Sequence, residues 1–437
     1  MIQQSLYEQV LDYANRANPY PLYAQLRQTP ITRQTDGSYV VSTYREIVSL
    51  LHDPRIGSDF RKRSVRERNP AGSQINPEPV SENQAQEAGA EVSSPNQGSE
   101  TEVVPSFIGL DPPEHDRLRR QATWPFGPPH TPGRVAEMEP QLIRLANQQI
   151  DTMKGKASID IVEDFAYPIP VTMISELLGV PYEDQPHLHA LSEAIIEGID
   201  LDPQESPEER KRRQEQSGQT FKELENYMET LIERHRKKPG SDLLSGLITD
   251  YGPDGPMSQA DIVSTASLLL IAGHETTVNL ITNGMLTLLR HPDVLERLRR
   301  EPNLVIRLVE ELLRYEPPVQ ILPNRVALAD INIAGTTILK GSPVILLLAS
   351  GNRDSARFPD PDIFDPDRRD NMHLGFGSGI HYCYGAPLAR LETQIALTEL
   401  VRRLENPRLM NEPPTYRQSA TLRGPRHLFV EIDGVRD

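Results

Sequence analysis

Apolar residues recur at helical spacing along most of the chain after residue 113. The longest uninterrupted stretch predicts a helix at 258–290, which begins at the capping residue Ser258 and ends before His291-Pro292. At about 1.5 Å per residue this helix would be roughly 50 Å long, enough to cross the molecule. The same periodicity predicts further helices at 113–124, 134–154, 166–179, 183–199, 206–236, 240–249, 292–300, 302–315 and 386–403.

Short apolar runs predict small β-sheets. One run at 39–42 lies between two short amphipathic helices predicted at 20–27 and 44–52. Later runs predict strands at 325–327, 331–333, 337–339 and 344–348. Helices therefore come first and most strands come late, which indicates a mainly α fold with small β-sheets (α+β).

A polar segment at 69–105 interrupts this pattern. It is rich in Ser, Pro, Asn, Gln, Gly and Glu, and it contains six glutamates but no Lys or Arg. Such a segment cannot bury enough apolar area to offset the entropy lost on ordering. We therefore predict a disordered or weakly ordered insertion within a single domain that spans 1–437.

The composition restricts the classes of binding partner and the cellular compartment that we expect. A formal net charge of −16 argues against nucleic acid as a partner. The first residues resemble neither a signal peptide nor a membrane anchor. A single cysteine fits a reducing compartment. We therefore expect a cytoplasmic protein with no membrane anchor.

The single cysteine, Cys383, lies in the segment FGSGIHYCYG. A thiol among glycines, just before a predicted helix, is a candidate metal ligand or nucleophile. The N-terminal N–H groups of that helix would favour thiolate over thiol. Gly377, Gly379 and Gly385 would let the backbone approach a flat ligand closely. For the cysteine alone, a buried and inert thiol is the alternative interpretation.

Residues 376–385 match Phe-x-x-Gly-x-His/Arg-x-Cys-x-Gly at every fixed position. The segment therefore resembles the haem-binding loop of the cytochrome P450 family, and the resemblance extends over 17–432. It implies the cytochrome P450 fold, with the long central helix over the haem. It also implies that Cys383 is the axial ligand of the iron of haem b (iron protoporphyrin IX), with Phe376 shielding the sulfur. The implied activity is that of a haem-thiolate monooxygenase.

The middle of the long helix reads Ala-Gly-His-Glu-Thr-Thr at 272–277, which resembles the oxygen-activating motif of the same family. The resemblance implies that Thr276 holds the distal oxygen and its water, and that Glu275 relays protons. An ordinary buried helix with a satisfied polar turn is the alternative. His274-Glu275 also begins like the zinc-protease pattern His-Glu-x-x-His, but position 278 is Val, so the second ligand is missing.

Cationic residues match the positions at which the family binds the two haem propionates. His115 and Arg119 are four residues apart and share one helix face, and the resemblance adds Arg325 and His381. Carboxylates in a low-dielectric pocket need cationic or hydrogen-bonding partners, and guanidinium groups suit them best. A second set, Glu311, Arg314 and Arg368, resembles the structural Glu-x-x-Arg pair of the family and its distant arginine partner.

The resemblance also suggests the substrate and the redox partner. The implied substrate-facing segments are the loop before Pro113, 185–205, 269–272, 319–322 and 420–422. The last three are mostly aliphatic, so we expect a hydrophobic small molecule that is hydroxylated or epoxidised by O₂. A terpenoid, a steroid, a fatty acid and a polyketide all fit. No Gly-x-Gly-x-x-Gly pattern is present, so a ferredoxin or flavodoxin is the expected electron donor, docking near Arg117, Arg120 and Arg390. A peroxide-driven peroxygenase and a non-catalytic haem-binding protein are the alternatives.

Overall fold

The computed structural model describes residues 4–59, 62, 105–126, 133–199 and 206–437. The polar segment 69–105 lies outside the described residues except for Pro105, so its disorder stays a prediction. In the described part the α-helices are α1 Leu6–Leu11, α2 Tyr20–Leu26, α3 Tyr44–Leu51, α4 Glu114–Phe126, α5 Arg134–Glu137, α6 Glu139–Asp151, α7 Pro168–Leu177, α8 Gln185–Ile199, α9 Pro207–Lys237, α10 Leu243–Thr249, α11 Gln259–Arg290, α12 Pro292–Arg300, α13 Val305–Tyr315, α14 Leu348–Gly351 and α15 Ala386–Arg403.

The strands are short and form small sheets, as predicted. They are β1 Ile31–Arg33, β2 Tyr39–Val41, β3 Ile56–Gly57, β4 Ser158–Asp160, β5 Leu322–Ala327, β6 Ile331–Ile333, β7 Thr336–Ile338, β8 Pro343–Leu346, β9 Leu404–Glu405, β10 Arg408–Leu409, β11 Phe429–Glu431 and β12 Gly434–Val435. The largest sheet has the order β1-β2-β8-β5-β3, in which β2 and β8 pair in parallel and the other neighbours pair antiparallel. The mainly α fold with small sheets is therefore confirmed.

The long central helix α11 organises the fold. Its N-cap is Ser258, whose side chain accepts a hydrogen bond from the backbone N–H of Asp261. α11 packs against α7, α9, α13 and α15, and most of its residues from Ile262 to Leu288 are buried. The helix predicted at 258–290 is thus confirmed to within one residue at its start.

Two predicted elements were wrong in detail. The helix expected at 134–154 is divided into α5 and α6 near Met138, because Pro140 has no N–H to donate and is tolerated only in the first turn of α6. The strand expected at 344–348 ends at Leu346, and Leu348 begins the short helix α14.

A buried ion-pair cluster joins α13 to the segment that precedes the cysteine. The Glu311 carboxylate accepts hydrogen bonds from Arg314 Nη2 at 2.7 Å and Nε at 2.9 Å, and it lies 3.3 Å from Arg368 Nε. Arg314 and Glu311 have no exposed side-chain surface. The three residues that the sequence grouped do meet, and they fix the chain that leads into the cysteine loop.

Two large apolar clusters meet at the cysteine loop. Cys383 packs against the cluster formed largely by α6, α11, α13 and α15, whereas Tyr384 and Leu388 pack in the cluster around α7–α11. None of the helices in the described ranges combines the length and apolar character that a membrane crossing requires.

Candidate functional site

A cavity lies between the middle of α11 and the cysteine loop. The cavity has a volume of about 260 Å³. Thr276 on α11 and Cys383 on the loop both line it. Much of the rest of the lining is apolar and includes Ile174, Leu177, Leu268, Leu269, Val319 and Leu322.

Most of the residues proposed from the sequence line this one cavity. They are Arg119, Thr276, Arg325, Phe376, His381, Cys383 and Gly385. Glu275 and His115 do not line it: Glu275 precedes the lining residue Thr276 on α11, and the His115 ring packs against that of the lining residue His381. The expected substrate-facing segment 420–422 is also absent from the lining, and Ala420 instead packs with the N-terminal helices.

The cysteine loop is held in a tight turn. The backbone N–H of Cys383 donates to the carbonyl of Phe376 at 2.9 Å. Gly379 has φ +72°, and a Cβ at this position would lie 2.2 Å from the Leu51 carbonyl oxygen. Only glycine can adopt this conformation so close to another backbone segment.

The helix end affects the thiol less than the sequence suggested. The N–H groups of Gly385 and Ala386 point at the sulfur and lower its pKa, as do Arg119 and Arg390. Burial is the larger effect, however, and the net pKa of the Cys383 thiol is raised. The N-terminus of α15 therefore favours the thiolate, as expected, but burial outweighs its effect on the pKa.

Four basic side chains gather at one edge of the cavity. Burial lowers the pKa of Arg325 to about 10, and Asp111 only partly opposes the shift. Burial, reinforced by the neighbouring Arg325 and Arg119, lowers the pKa of His381 to about 3. The His115 and His381 rings lie 4.4 Å apart, centroid to centroid.

This basic cluster has unused hydrogen-bonding capacity. His115 Nε2 and His381 Nδ1 are buried without a partner among the described residues. Arg325 donates to the carbonyl of Asn324 at 2.8 Å, and Arg119 donates to the carbonyl of Tyr382 at 2.6 Å. An anionic ligand would complement these groups. With a thiol, glycines and an apolar cavity beside them, the residues present fit a haem with its two carboxylates.

Thr276 and Glu275 differ in their surroundings. Thr276 Oγ1 donates to the Ala272 carbonyl at 2.8 Å, so its hydroxyl sits at the cavity wall. Glu275 is only 3% exposed, and burial raises its pKa. Its Oε1 lies 2.8 Å from Arg417 Nε, whereas Oε2 has no partner among the described residues. Asn279 Nδ2 also donates to Oε1 at 3.3 Å, so the acid is shielded from the solvent and held by one arginine and one amide.

Arg417 is a residue that the sequence analysis missed. It lies 3.5 Å from Glu193 on α8, and His189, Arg426 and Arg417 together lower the pKa of Glu193 to about 2. Nothing around position 417 in the sequence marks it, because its two carboxylate partners come from distant helices. Arg417 thereby links α8 to the acid on α11.

Glu392 on α15 was also missed. It lines the cavity, is 2% exposed, and hydrogen-bonds to Thr277. Burial raises its pKa to about 8. In the sequence, Glu392 is marked only by its place four residues after Leu388, on the same face of α15. A residue on that face is expected to make an apolar contact, not to be a buried acid.

Comparison with known proteins identifies the family. The cytochrome P450 family model matches residues 108–431. Cytochrome P450 107B1 from Saccharopolyspora erythraea is 32% identical over 415 residues, which cover 93% of each chain. The 6-deoxyerythronolide B hydroxylase of the same organism is 35% identical, over 95% of this chain and 96% of the relative.

Solved structures agree with the sequence comparisons. CYP164A2 from Mycobacterium smegmatis, without ligand, superposes with a TM-score of 0.82 at 34% identity and covers 98% of this chain and 99% of that one. The chain belongs to the cytochrome P450 family. It is therefore an oxidoreductase of the haem monooxygenase class, and the family implies a haem-iron cofactor.

Proposed function

We propose that this chain holds haem b through Cys383 and inserts one oxygen atom of O₂ into a C–H or C=C bond of a hydrophobic small molecule. The observation that carries the proposal is an apolar cavity that has Cys383 on one wall, Thr276 on another and a basic cluster at its edge. When bound, the haem would activate O₂ with electrons supplied from outside the chain.

The basic cluster would bind the two haem carboxylates. Arg119, Arg325 and His381 line the cavity directly, and two guanidinium groups can each form paired hydrogen bonds with a carboxylate. The His115 ring packs against His381, and its Nδ1 donates to Asp116 Oδ1 at 2.8 Å, so its unpartnered Nε2 would donate to a haem carboxylate only from the doubly protonated ring. Phe376 would keep water away from the Cys383 sulfur, because it is 8% exposed and packs in the apolar core.

Glu275 and Thr276 would deliver protons to the cavity. The raised pKa of Glu275 favours a carboxyl that retains its proton, and Oε2 is the oxygen without a partner. Arg417 opposes that rise, so the arginine sets how readily the proton leaves. Thr276 Oγ1 can hydrogen-bond to a small ligand in the cavity when it releases the Ala272 carbonyl.

The cavity also bears on the substrate and the electron donor. Ile174, Leu177, Leu268, Leu269, Val319 and Leu322 favour an uncharged, hydrophobic substrate. The sequence carries no dinucleotide-binding pattern, which supports a separate ferredoxin or flavodoxin as donor.

Two variants test the proposal. Cys383→His should abolish the strongly red-shifted Soret band of the ferrous–CO complex, and an unchanged spectrum would refute thiolate ligation. Thr276→Ala should retain haem but divert electrons to hydrogen peroxide. The matched control is Thr287→Ala, because Thr287 makes the same bond to the carbonyl four residues earlier, at 2.7 Å, but does not line the cavity.

Comparing Thr276→Ala with its control can refute the proposed role of Thr276. If Thr276→Ala couples electron consumption to product as tightly as the Thr287→Ala control does, Thr276 has no part in proton delivery. Turnover that needs only peroxide, and gains nothing from a ferredoxin system, would instead favour the peroxygenase.

A further inference from the structure

The ring of Phe376 lines the cavity and packs in the apolar core, and it also contacts three polar side chains of the cysteine-loop region. The guanidinium carbon of Arg390 lies 4.6 Å from the ring centroid, close enough for a cation–π contact. The His373 and Tyr382 rings approach it at 6.0 and 6.2 Å, centroid to centroid. Because the Phe376 carbonyl also accepts the N–H of Cys383, fixing this residue fixes the loop.

Arg390 is itself held rigidly. Its Nε and Nη2 donate to the two oxygens of Glu310 at 2.6 and 2.9 Å, and its Nη1 donates to the Tyr382 hydroxyl at 3.2 Å. The side chains of Arg390 and Glu310 are both 29% exposed. A paired, geometrically fixed guanidinium of this kind loses little further freedom when it stacks on a ring.

His373 extends the cluster to the backbone of the loop. Its Nε2 lies 3.1 Å from Glu310 Oε2, and its Nδ1 accepts the N–H of Gly375 at 3.1 Å. The imidazole therefore carries its proton on Nε2 and donates it to Glu310. The backbone at Gly375 runs so close to α13 that a Cβ there would lie 2.5 Å from the Leu313 carbonyl oxygen.

We infer that Arg390, Glu310 and His373 are positioning residues that hold Phe376 against the cysteine loop and set the electrostatic field at the Cys383 sulfur. This inference rests on the proposed function, in which that sulfur binds iron. Arg390, near which the sequence analysis expects the electron donor to dock, is paired with Glu310 in this structure.

The two charged members should act on the sulfur with opposite signs. Reduction of the iron adds a negative charge, so a nearby cation stabilises the reduced form and a nearby anion destabilises it. Removing the charge of Arg390 should therefore make the reduction potential more negative. Removing the charge of Glu310 should make it more positive. A purely structural role would not produce shifts of opposite sign.

The test uses the haem-loaded protein and three variants. Potentiometric titration of Arg390→Gln should give a more negative reduction potential than the wild type, and Glu310→Gln a more positive one. Arg390→Lys keeps the charge but loses the paired geometry, so its potential should stay near the wild-type value. Its red-shifted ferrous–CO species should decay several-fold faster, because the loop is held less firmly.

Arg402→Gln is the matched control. Arg402 pairs with Glu399 and lies on the same helix as Arg390, about 18 Å farther along at about 1.5 Å per residue. Its substitution should leave the reduction potential almost unchanged. Shifts of the same sign in Arg390→Gln and Glu310→Gln, or none in either, would overturn the inference. A wild type that lacks the red-shifted band would instead refute the proposed function. If Arg390→Gln does not fold, Glu310→Gln and Arg390→Lys still decide the question.

Discussion

Glu311→Gln should be among the most damaging single substitutions outside the cavity. The wild-type carboxylate accepts hydrogen bonds from both Arg314 nitrogens that face it, from Arg368 Nε, from the backbone N–H of Asp365 and from Asn371 Nδ2. Glutamine has nearly the same shape. It removes the negative charge and turns an NH₂ group toward donors, so two guanidinium groups lose their counter-charge.

The expected loss is about 3 kcal/mol of unfolding free energy. Breaking a buried ion pair by removing one partner costs about 3–5 kcal/mol. The lower end applies because Arg314 keeps the carbonyl oxygens of Asn352, Pro361 and Ile363 as acceptors. Unfolding entropy of about 2.1 cal/mol/K per residue gives roughly 0.9 kcal/mol/K for 437 residues, so Tm should fall by about 3 °C.

Thermal unfolding followed by circular dichroism measures this change, with haem content recorded in parallel. Glu301→Gln is the matched control, because its carboxylate is 57% exposed and pairs with Arg297 at 3.3 Å on the protein surface. Its Tm should stay within about 1 °C of the wild type. If the Glu311 and Glu301 variants melt together, the buried cluster does not stabilise the fold as argued.

Two further substitutions test the cysteine loop and the buried acid. Gly379→Ala should lower Tm by several degrees and impair haem retention, because the added Cβ would meet the Leu51 carbonyl. The control is Gly37→Ala, at φ +86° with open space around it, which should cost only about 1 kcal/mol of backbone strain. Equal losses of stability in the two variants would contradict the steric argument. Burial raises the pKa of Glu392 from its ordinary 4.5 to about 8, so the folded chain binds more protons than the unfolded chain between these pH values and stability falls as pH rises through that window. Glu392→Gln should therefore gain stability over the wild type from pH 4.5 to 8, by roughly a few kcal/mol, in urea unfolding. A stability difference between Glu392→Gln and the wild type that does not change with pH would mean that the acid is not held neutral.

The parts of the structure that sequence reasoning recovered depend on local signals. The helix at 258–290 combines a capping serine with a long apolar face, so periodicity and caps locate it well. The cysteine loop is specified by glycines and a fixed spacing within ten residues. The helix predicted at 134–154 was wrong because periodicity alone ignores Pro140, which cannot lie in a helix interior.

The parts that it missed depend on contacts between distant segments. Arg417 lies in an irregular region near the C-terminus, and only the folded chain brings it to Glu275. Glu310 follows the same rule, because an acid beside Glu311 on an amphipathic helix is usually a solvated charge. Here the position of α15 supplies Arg390 as its partner. The hydrophobic periodicity of the sequence does not reveal which residues of distant helices pair in the folded chain.

The parallel pairing of β2 with β8 has a consequence for biosynthesis. Tyr39 pairs with Val344, so roughly 300 residues must be made after β2 before this strand meets its partner β8. At about 5–20 residues per second, translation of that stretch takes roughly 15–60 s. During this time one edge of β2 is unpaired and open to wrong pairing with other chains. Codon choice between β2 and β8, and the supply of chaperones while that stretch is translated, should therefore govern the yield of folded protein in a heterologous host. Haem that is added before Cys383 has left the ribosome has no thiol to bind.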